Sequence, residues 1–275
     1  MTEPPAAPLT DRQQREIEFH KDYAAQKAAE RLQPVNCDII EDHERRPHNA
    51  YWSTYDRVLA HDWRGKRVLV PGCGFGEDAI RFAHLGAQVS AFDISPDIIE
   101  VTKRRIEEFG YPEIDLAVMP CEQIMYTDDT FDLIFFVDIL HHVDIANSVA
   151  EFKRVLKDGG RIIGNELYTH SALQKNIRES WPVRKVLYPL MTRFIYGQDK
   201  PYITEDEHKI DEVEFALLEA VCSNLKTDWF NGFAGRLLPA NAKPIAKADR
   251  ALMRAFGGAG RFWGGRAVFE GTITG

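Results

Sequence analysis

Five strands alternating with helices between residues 66 and 167, with two more strands near the end of the chain, predict an α/β protein built on a doubly wound, mostly parallel seven-stranded sheet. Three observations lead there. The apolar runs "RVLVP" (67–71) and "FDLIFFV" (131–137) are nearly continuous, as strands buried on both faces require. The segments between the runs carry helix start and stop signals. A turn with three alternating glycines, "PGCGFG" (71–76), directly follows the first run, where open α/β sheets place their ligands.

The elements follow in order. Residues 1–10 are rich in Pro and Ala and are expected to be disordered, and 11–32 reads as a helix with Ile17, Tyr23 and Ala24 near one face. After the first strand, 77–86 is helical and stops at Gly86, and 87–93 ("AQVSAFD") is a strand. The helix at 95–110 is well marked: Ser95 as N-cap, Pro96 at the first helical position, acids early, bases late, and Gly110 at its end. Strands follow at 114–119 and 131–137, then a helix over 147–160 closed by Gly159–Gly160, then a fifth strand at 161–167. Residues 168–224 are largely helical, with breaks at Pro182, Pro189 and Pro201. Two last strands, 226–233 and 266–274, flank a helical stretch near 241–258 and are expected to form an antiparallel pair at one sheet edge.

Composition sets bounds. The 275 residues suffice for one large domain with additions. A net charge of −8 argues against a surface that binds nucleic acid or anionic membrane as a whole. Cys37, Cys73, Cys121 and Cys222 are widely spaced with no C-x-x-C, which speaks against a zinc ribbon or a disulfide framework and for a reducing, cytoplasmic setting. No metal-ligand set is expected. The start lacks a basic region followed by an apolar core, and the most apolar stretch, "FDLIFFVDILHHV", is too short to span a bilayer.

The glycine loop narrows the ligand. A dinucleotide loop needs G-x-G-x-x-G, its third glycine allowing close helix–strand packing. Counted from Gly72, that third glycine falls at Glu77, and a carboxylate at a helix start competes with a pyrophosphate for the same dipole. A Walker loop is excluded because no Lys-Ser/Thr pair follows. The loop therefore suits a nucleoside with a cationic or zwitterionic tail. Asp93, 21 residues after Gly72 at the tip of the second strand, is placed to accept from both hydroxyls of a ribose.

"VLVPGCGFG", "VSAFDIS", "CEQIMYTDDTFDLIFFVDILHHV" and "LKDGGRIIGNEL" together resemble the class I S-adenosylmethionine-dependent methyltransferases, with small-molecule and quinone-type motifs. The resemblance covers about residues 66–167 and implies a Rossmann-like sheet with an antiparallel last strand. It implies S-adenosyl-L-methionine as cofactor. Gly72, Cys73, Gly74 and Gly76 would let the backbone pass near the methionine part and ribose, Asp93 would bind the ribose, and Ile94 would pack on the adenine. Cys121 and Glu122 would meet the adenine ring, and Val137 with the turn after it would line the fourth strand's end. The acid common in the first strand is replaced by Val70, and "VPGCG" is similar to the thiopurine-methyltransferase type of loop. That likeness directs attention to Asp78 as the partner of the cofactor ammonium.

Methyl transfer to a hydroxyl calls for a base, and an amine that arrives neutral needs none. His141 and His142 after the fourth strand are candidates, as are Tyr168 and His170 past the fifth. The segments 171–196 and 243–266 are basic and rich in aromatics, readable as core-packing lids or as an amphiphile- or membrane-facing surface. Nucleic acid is not an expected partner. The expected organisation is a helical cap (1–65), a cofactor core (66–167), a helical acceptor lid (168–225) and the last two strands with a basic helical segment (226–275). Phe19, His20, Tyr23, Tyr51, Trp52 and Tyr55 are candidates to close over the cofactor. The expected activity is methylation of a small-molecule acceptor, lipid-like or quinone-like, at oxygen. Transfer to carbon or nitrogen, or a silent binding protein on this fold, are the alternatives.

Overall fold

The computed structural model describes residues 8–37, 40, 48–168, 171–187, 210–232 and 243–273. Seven strands form one sheet: β1 (Arg67–Pro71), β2 (Gln88–Asp93), β3 (Asp115–Val118), β4 (Phe131–Val137), β5 (Leu156–Leu167), β6 (Cys222–Phe230) and β7 (Arg266–Ile273). Their spatial order is β3-β2-β1-β4-β5-β7-β6. Neighbours from β3 to β5 pair in parallel, while β7 runs antiparallel to both β5 and β6. The expected seven-stranded, mostly parallel sheet with an antiparallel last strand is what the chain forms.

Alternation along the strands feeds two cores. Val68, Val70, Leu133, Phe135 and Ile163 face one side, packed with Tyr55, Ile80 and Phe82. Leu69, Ile134, Phe136 and Ile162 face the other, with Phe152, Phe215 and Phe269. A side-chain period of two sends neighbours in an apolar run to opposite faces, so continuous runs become strands covered on both sides.

Helices α1 (Asp11–Ala29), α2 (Ala50–Val58), α3 (Glu77–His84), α4 (Pro96–Glu108), α5 (Ile145–Val155), α6 (Ala172–Glu179), α7 (Glu212–Val221) and α8 (Lys243–Phe256) cover the sheet and its ends. Their starts are capped as the sequence suggests. Ser95 Oγ accepts from Ile98 N ahead of Pro96, and Thr10 with Gln13 forms a reciprocal capping box on α1. Two expectations change. The helix expected over 147–160 ends at Val155, and β5 starts at Leu156. A register shift against β4 then absorbs the residues up to Arg161. Gly159 sits there at φ 74°, so the glycine pair shapes an irregular strand entry rather than a helix end. On α1, Glu16 and Ala24 are buried while Tyr23 is partly exposed. The inward face of α1 is polar because it roofs a pocket instead of joining the core.

Candidate functional site

The sequence order of the sheet reverses between β1 and β4, and the crevice opens at their carboxyl ends. A pocket of about 290 Å³ lies there, near the lower end of small-molecule sites, roughly 300–1,000 Å³. The loop after β1 forms its floor. Gly72 has φ 59°, and a Cβ there would come within 1.9 Å of Ile139 Cδ1, so the two turns after β1 and β4 meet as closely as a bare backbone allows. Gly74 has φ 49° with open space where a Cβ would point. Its N–H donates to Asp93 Oδ2 at 3.2 Å, and its carbonyl accepts from Thr102 Oγ1 at 2.7 Å. Asp93 Oδ1 accepts from Ser95 N at 3.0 Å. Burial raises the Asp93 carboxyl above the ordinary range, against the pull of these two N–H groups and of His20.

The structure brings most of the predicted residues into this one pocket. Gly72, Gly74, Asp93 and Ile94 line it, and so do Cys121, Glu122, Val137 and His142. Glu122 also ties the site together: its Oε1 accepts from Asp144 N at 2.9 Å and its Oε2 from Gln13 Nε2 at 3.1 Å.

Four predicted residues stand elsewhere. Gly76 is the left-handed N-cap of α3, where a Cβ would come within 2.7 Å of Thr102 Cγ2, so its bareness serves packing. Cys73 is buried beneath the loop, and its N–H donates to Phe92 O at 2.9 Å. Asp78 faces away from the pocket: it accepts from Tyr51 Oη at 2.8 Å, from Tyr55 Oη, and from Arg81 Nη1 at 3.1 Å. With those three donors around it, Asp78 ties α3 to α2, and the reading of it as the ammonium partner gives way. His141 is buried with Nδ1 2.5 Å from Glu166 Oε1 and does not line the pocket. As candidate bases, His141 and Tyr168 give way to His142. Tyr168 packs edge-on against Phe215 and Trp229, and His170 lies outside the described residues.

Sequence reasoning missed two carboxylates. Asp138, the residue after β4, adopts φ 58° and lines the pocket. Its Oδ2 accepts from Arg266 Nη2 at 2.7 Å, while its Oδ1 is buried with no hydrogen-bond partner among the described residues. Burial raises its pKa, with Arg266 pulling the other way. An unpaired buried acceptor facing a ligand cavity is costly unless a donor arrives. The second is Glu16 on α1, also lining the pocket, whose Oε1 is 2.8 Å from His20 Nε2 and 3.2 Å from His142 Nδ1. The only local signal for it was the Glu16/His20 spacing of four, which puts both on one helix face.

Asp138, His141 and Glu166 place three donor atoms within 4.8 Å of one another. Their hydrogen bonds explain the cluster. Glu166 Oε2 accepts from Ile139 N and Leu140 N, and its Oε1 contacts His141 Nδ1 and accepts from Leu167 N. The cluster thus braces the turn after β4.

Comparison with known proteins places this geometry. A methyltransferase domain family matches residues 69–164, the segment that builds the pocket floor. Residues 69–164 thus carry the match to a methyltransferase domain. A ubiquinone biosynthesis O-methyltransferase from Methylocella silvestris is 33% identical over 48% of this chain and 52% of its own length. A demethylmenaquinone methyltransferase from Tropheryma whipplei is 29% identical over 66% of this chain and 75% of its own. The chain thus spans about half the length of the ubiquinone-type relative. Among solved structures, geranyl diphosphate C-methyltransferase from Streptomyces coelicolor A3(2) has a TM-score of 0.54 at 14% identity, over 98% of this chain and 99% of that one. The [4+2]-cyclase SpnF has a TM-score of 0.57 at 17% identity, over 98% of each. These two share this chain's fold across nearly its whole length.

Proposed function

We propose that the chain is an S-adenosylmethionine-dependent methyltransferase that methylates a quinone-like small molecule at a hydroxyl oxygen. The observation that carries this is the pairing, in one crevice, of Asp93 behind the glycine turn with the unpartnered Oδ1 of Asp138. A nucleoside with an ammonium-bearing tail satisfies both. Asp93 takes the ribose hydroxyls, Ile94, Cys121 and Glu122 border the base, and Asp138 takes the ammonium. The bound sulfonium supplies a methyl group already activated for displacement. The protein's part is to hold the acceptor close and in line, and to manage the acceptor's proton. The names of the quinone-pathway relatives support the acceptor class.

An apolar groove of about 480 Å³ adjoins the pocket, sharing Ile94, Met119 and Pro120 with it and continuing to Leu9, Val118 and Met125. Membrane contact through parts of 171–196 and 243–266 is the further reading for an apolar acceptor. The organisation into cap, core, acceptor lid and closing strands is proposed with it. Calorimetric titration tests the core of the reading. S-adenosylmethionine should bind at one site per chain and NADH should not. No heat with S-adenosylmethionine removes the methyltransferase reading in favour of a silent protein on this fold.

A further inference from the structure

Two imidazoles share one buried carboxylate over the pocket. Glu16 Oε1 lies 2.8 Å from His20 Nε2 and 3.2 Å from His142 Nδ1, and all three side chains line the cavity. The Glu16 side chain is 10% exposed, against 20% for His20 and 23% for His142. Two further contacts hold α1 over the site: Arg12 Nη2 donates to His141 O at 3.4 Å in the turn after β4, and Gln13 Nε2 donates to Glu122 in the loop after β3. Burial works against ionised Glu16, yet the two histidines hold its pKa down at about 2.

A buried carboxylate beside one ring nitrogen fixes which nitrogen carries the proton. Buried Nδ1 of His142 lies 3.2 Å from Glu16 Oε1 without hydrogen-bond alignment and has no hydrogen-bond partner among the described residues, so Glu16 acts on it as a charged neighbour. Hydrogen on Nδ1 is attracted to that oxygen, whereas a lone pair on Nδ1 would face it and be repelled.

We propose that Glu16 is the positioning residue for His142. It holds the neutral imidazole as the Nδ1–H tautomer, with the basic lone pair on Nε2, and prepares the site for a protic, hydroxyl-bearing acceptor. As the acceptor oxygen bonds to the methyl carbon, the carbon–sulfur bond breaks with its electron pair left on sulfur. The hydroxyl proton passes to His142 Nε2. The imidazolium so formed keeps its Nδ1–H toward ionised Glu16, the arrangement by which a carboxylate assists a histidine base in hydrolases. The N-terminal helix thereby belongs to the chemistry as well as to the roof. This inference rests on the O-methyltransferase reading for its purpose, but its geometry is testable without an acceptor.

Protein labelled with ¹⁵N-histidine, observed near pH 8.5, about two units above an ordinary imidazole, reports the tautomer of each neutral ring. His142→Gln identifies the signal by its loss. The wild type should show His142 as Nδ1–H. Glu16→Met, which keeps length and removes the acceptor, should lose that preference, and Glu16→Gln, which keeps a carbonyl oxygen, should restore most of it. A wild-type Nε2–H tautomer, or the same tautomer in Glu16→Met, overturns the proposal. Calorimetry with S-adenosylmethionine on the same samples keeps the two questions apart. Absent binding with an Nδ1–H tautomer indicts the cofactor reading, and intact binding with an Nε2–H tautomer indicts the role of Glu16.

Discussion

Asp78, Asp93 and Asp138 divide three tasks that look alike in sequence. Asp93 accepts from two backbone N–H groups at the loop and still borders the pocket. Asp93→Ala removes the proposed ribose acceptor and loosens the turn. With hydrogen bonds to a charged group contributing about 1.5–3 kcal/mol each, S-adenosylmethionine affinity should fall at least about a hundredfold by calorimetry, and unchanged affinity would refute the ribose assignment. Asp138→Asn and Asp78→Asn then separate ligand from scaffold. Asp138→Asn keeps the size but loses the charge that faces the ligand and pairs with Arg266, so affinity should drop about tenfold or more, beyond what the fall in melting temperature from the weakened Arg266 pair accounts for. Asp78→Asn strikes a partly buried network of Tyr51, Tyr55 and Arg81. Disrupting such a network costs about 3 kcal/mol, so the melting temperature should fall while affinity changes little. The reverse pattern would return Asp78 to the cofactor.

At the scale of elements, α1 behaves as a latch whose strength depends on pH. Glu16 is lowered from 4.5 to about 2, so the stability it contributes is present above pH 4.5 and is lost as pH falls through about 2. His20 is raised above 6.5: burial opposes this, but contact with Glu16 and the charge of Asp93 outweigh it. Its contribution is complete below pH 6.5 and is lost as pH rises through the raised value. The groups facing this latch are His142 from the turn after β4, Asp93 from β2 and Glu122 from the loop after β3. Docking of α1 should therefore be tightest between pH 4.5 and 6.5. Hydrogen exchange, corrected for intrinsic rates, should show α1 amides most protected between pH 4.5 and 6.5, losing protection as pH falls from 4.5 toward about 2 and as pH rises through the raised His20 value. Flat protection through both flanks would mean that apolar contacts alone hold the helix. The same element shows where sequence reading stops. α4 was legible because Ser95 and Pro96 announce it locally, and the loop because three glycines and Asp93 belong to adjacent elements. The tie between Glu16 and His142 joins residues far apart in sequence, and no local pattern encodes it. The end of α5 was misread because Gly159–Gly160 resembles a helix stop, while the pairing of Leu156 with Phe131 that starts the strand is a long-range contact.

At the scale of the molecule, charge and apolar surface are unevenly placed, and the structure thins the basic surface read from the sequence. Arg250 is buried against Asp228, and Arg266 pairs with Asp138, so both are structural. Lys243, Lys247 and Arg254 remain on one flank of α8, on the far side of the buried residues Arg250 and Met253 from Ile245, Leu252 and Phe256, which form a partly exposed apolar stripe by their spacing of seven and four. Trp181, 71% exposed, and Val186 add apolar surface just past α6. No helix among the described residues is long and apolar enough to cross a membrane. The arrangement fits a helix that lies along a bilayer surface with a shallow apolar stripe on one edge and bases on the other. Each base near an anionic surface contributes about 1 kcal/mol, so two of them strengthen binding by about thirtyfold, against the repulsion of a chain with net charge −8. In liposome flotation the protein should rise with anionic vesicles, less with neutral ones, and less in high salt. Leu252→Asp with Phe256→Asp should abolish flotation while leaving S-adenosylmethionine affinity unchanged, because neither residue lines the pocket. Equal behaviour with neutral and anionic vesicles, or flotation that survives the double substitution, would assign these segments to acceptor lids and leave the apolar acceptor to reach the site through solution.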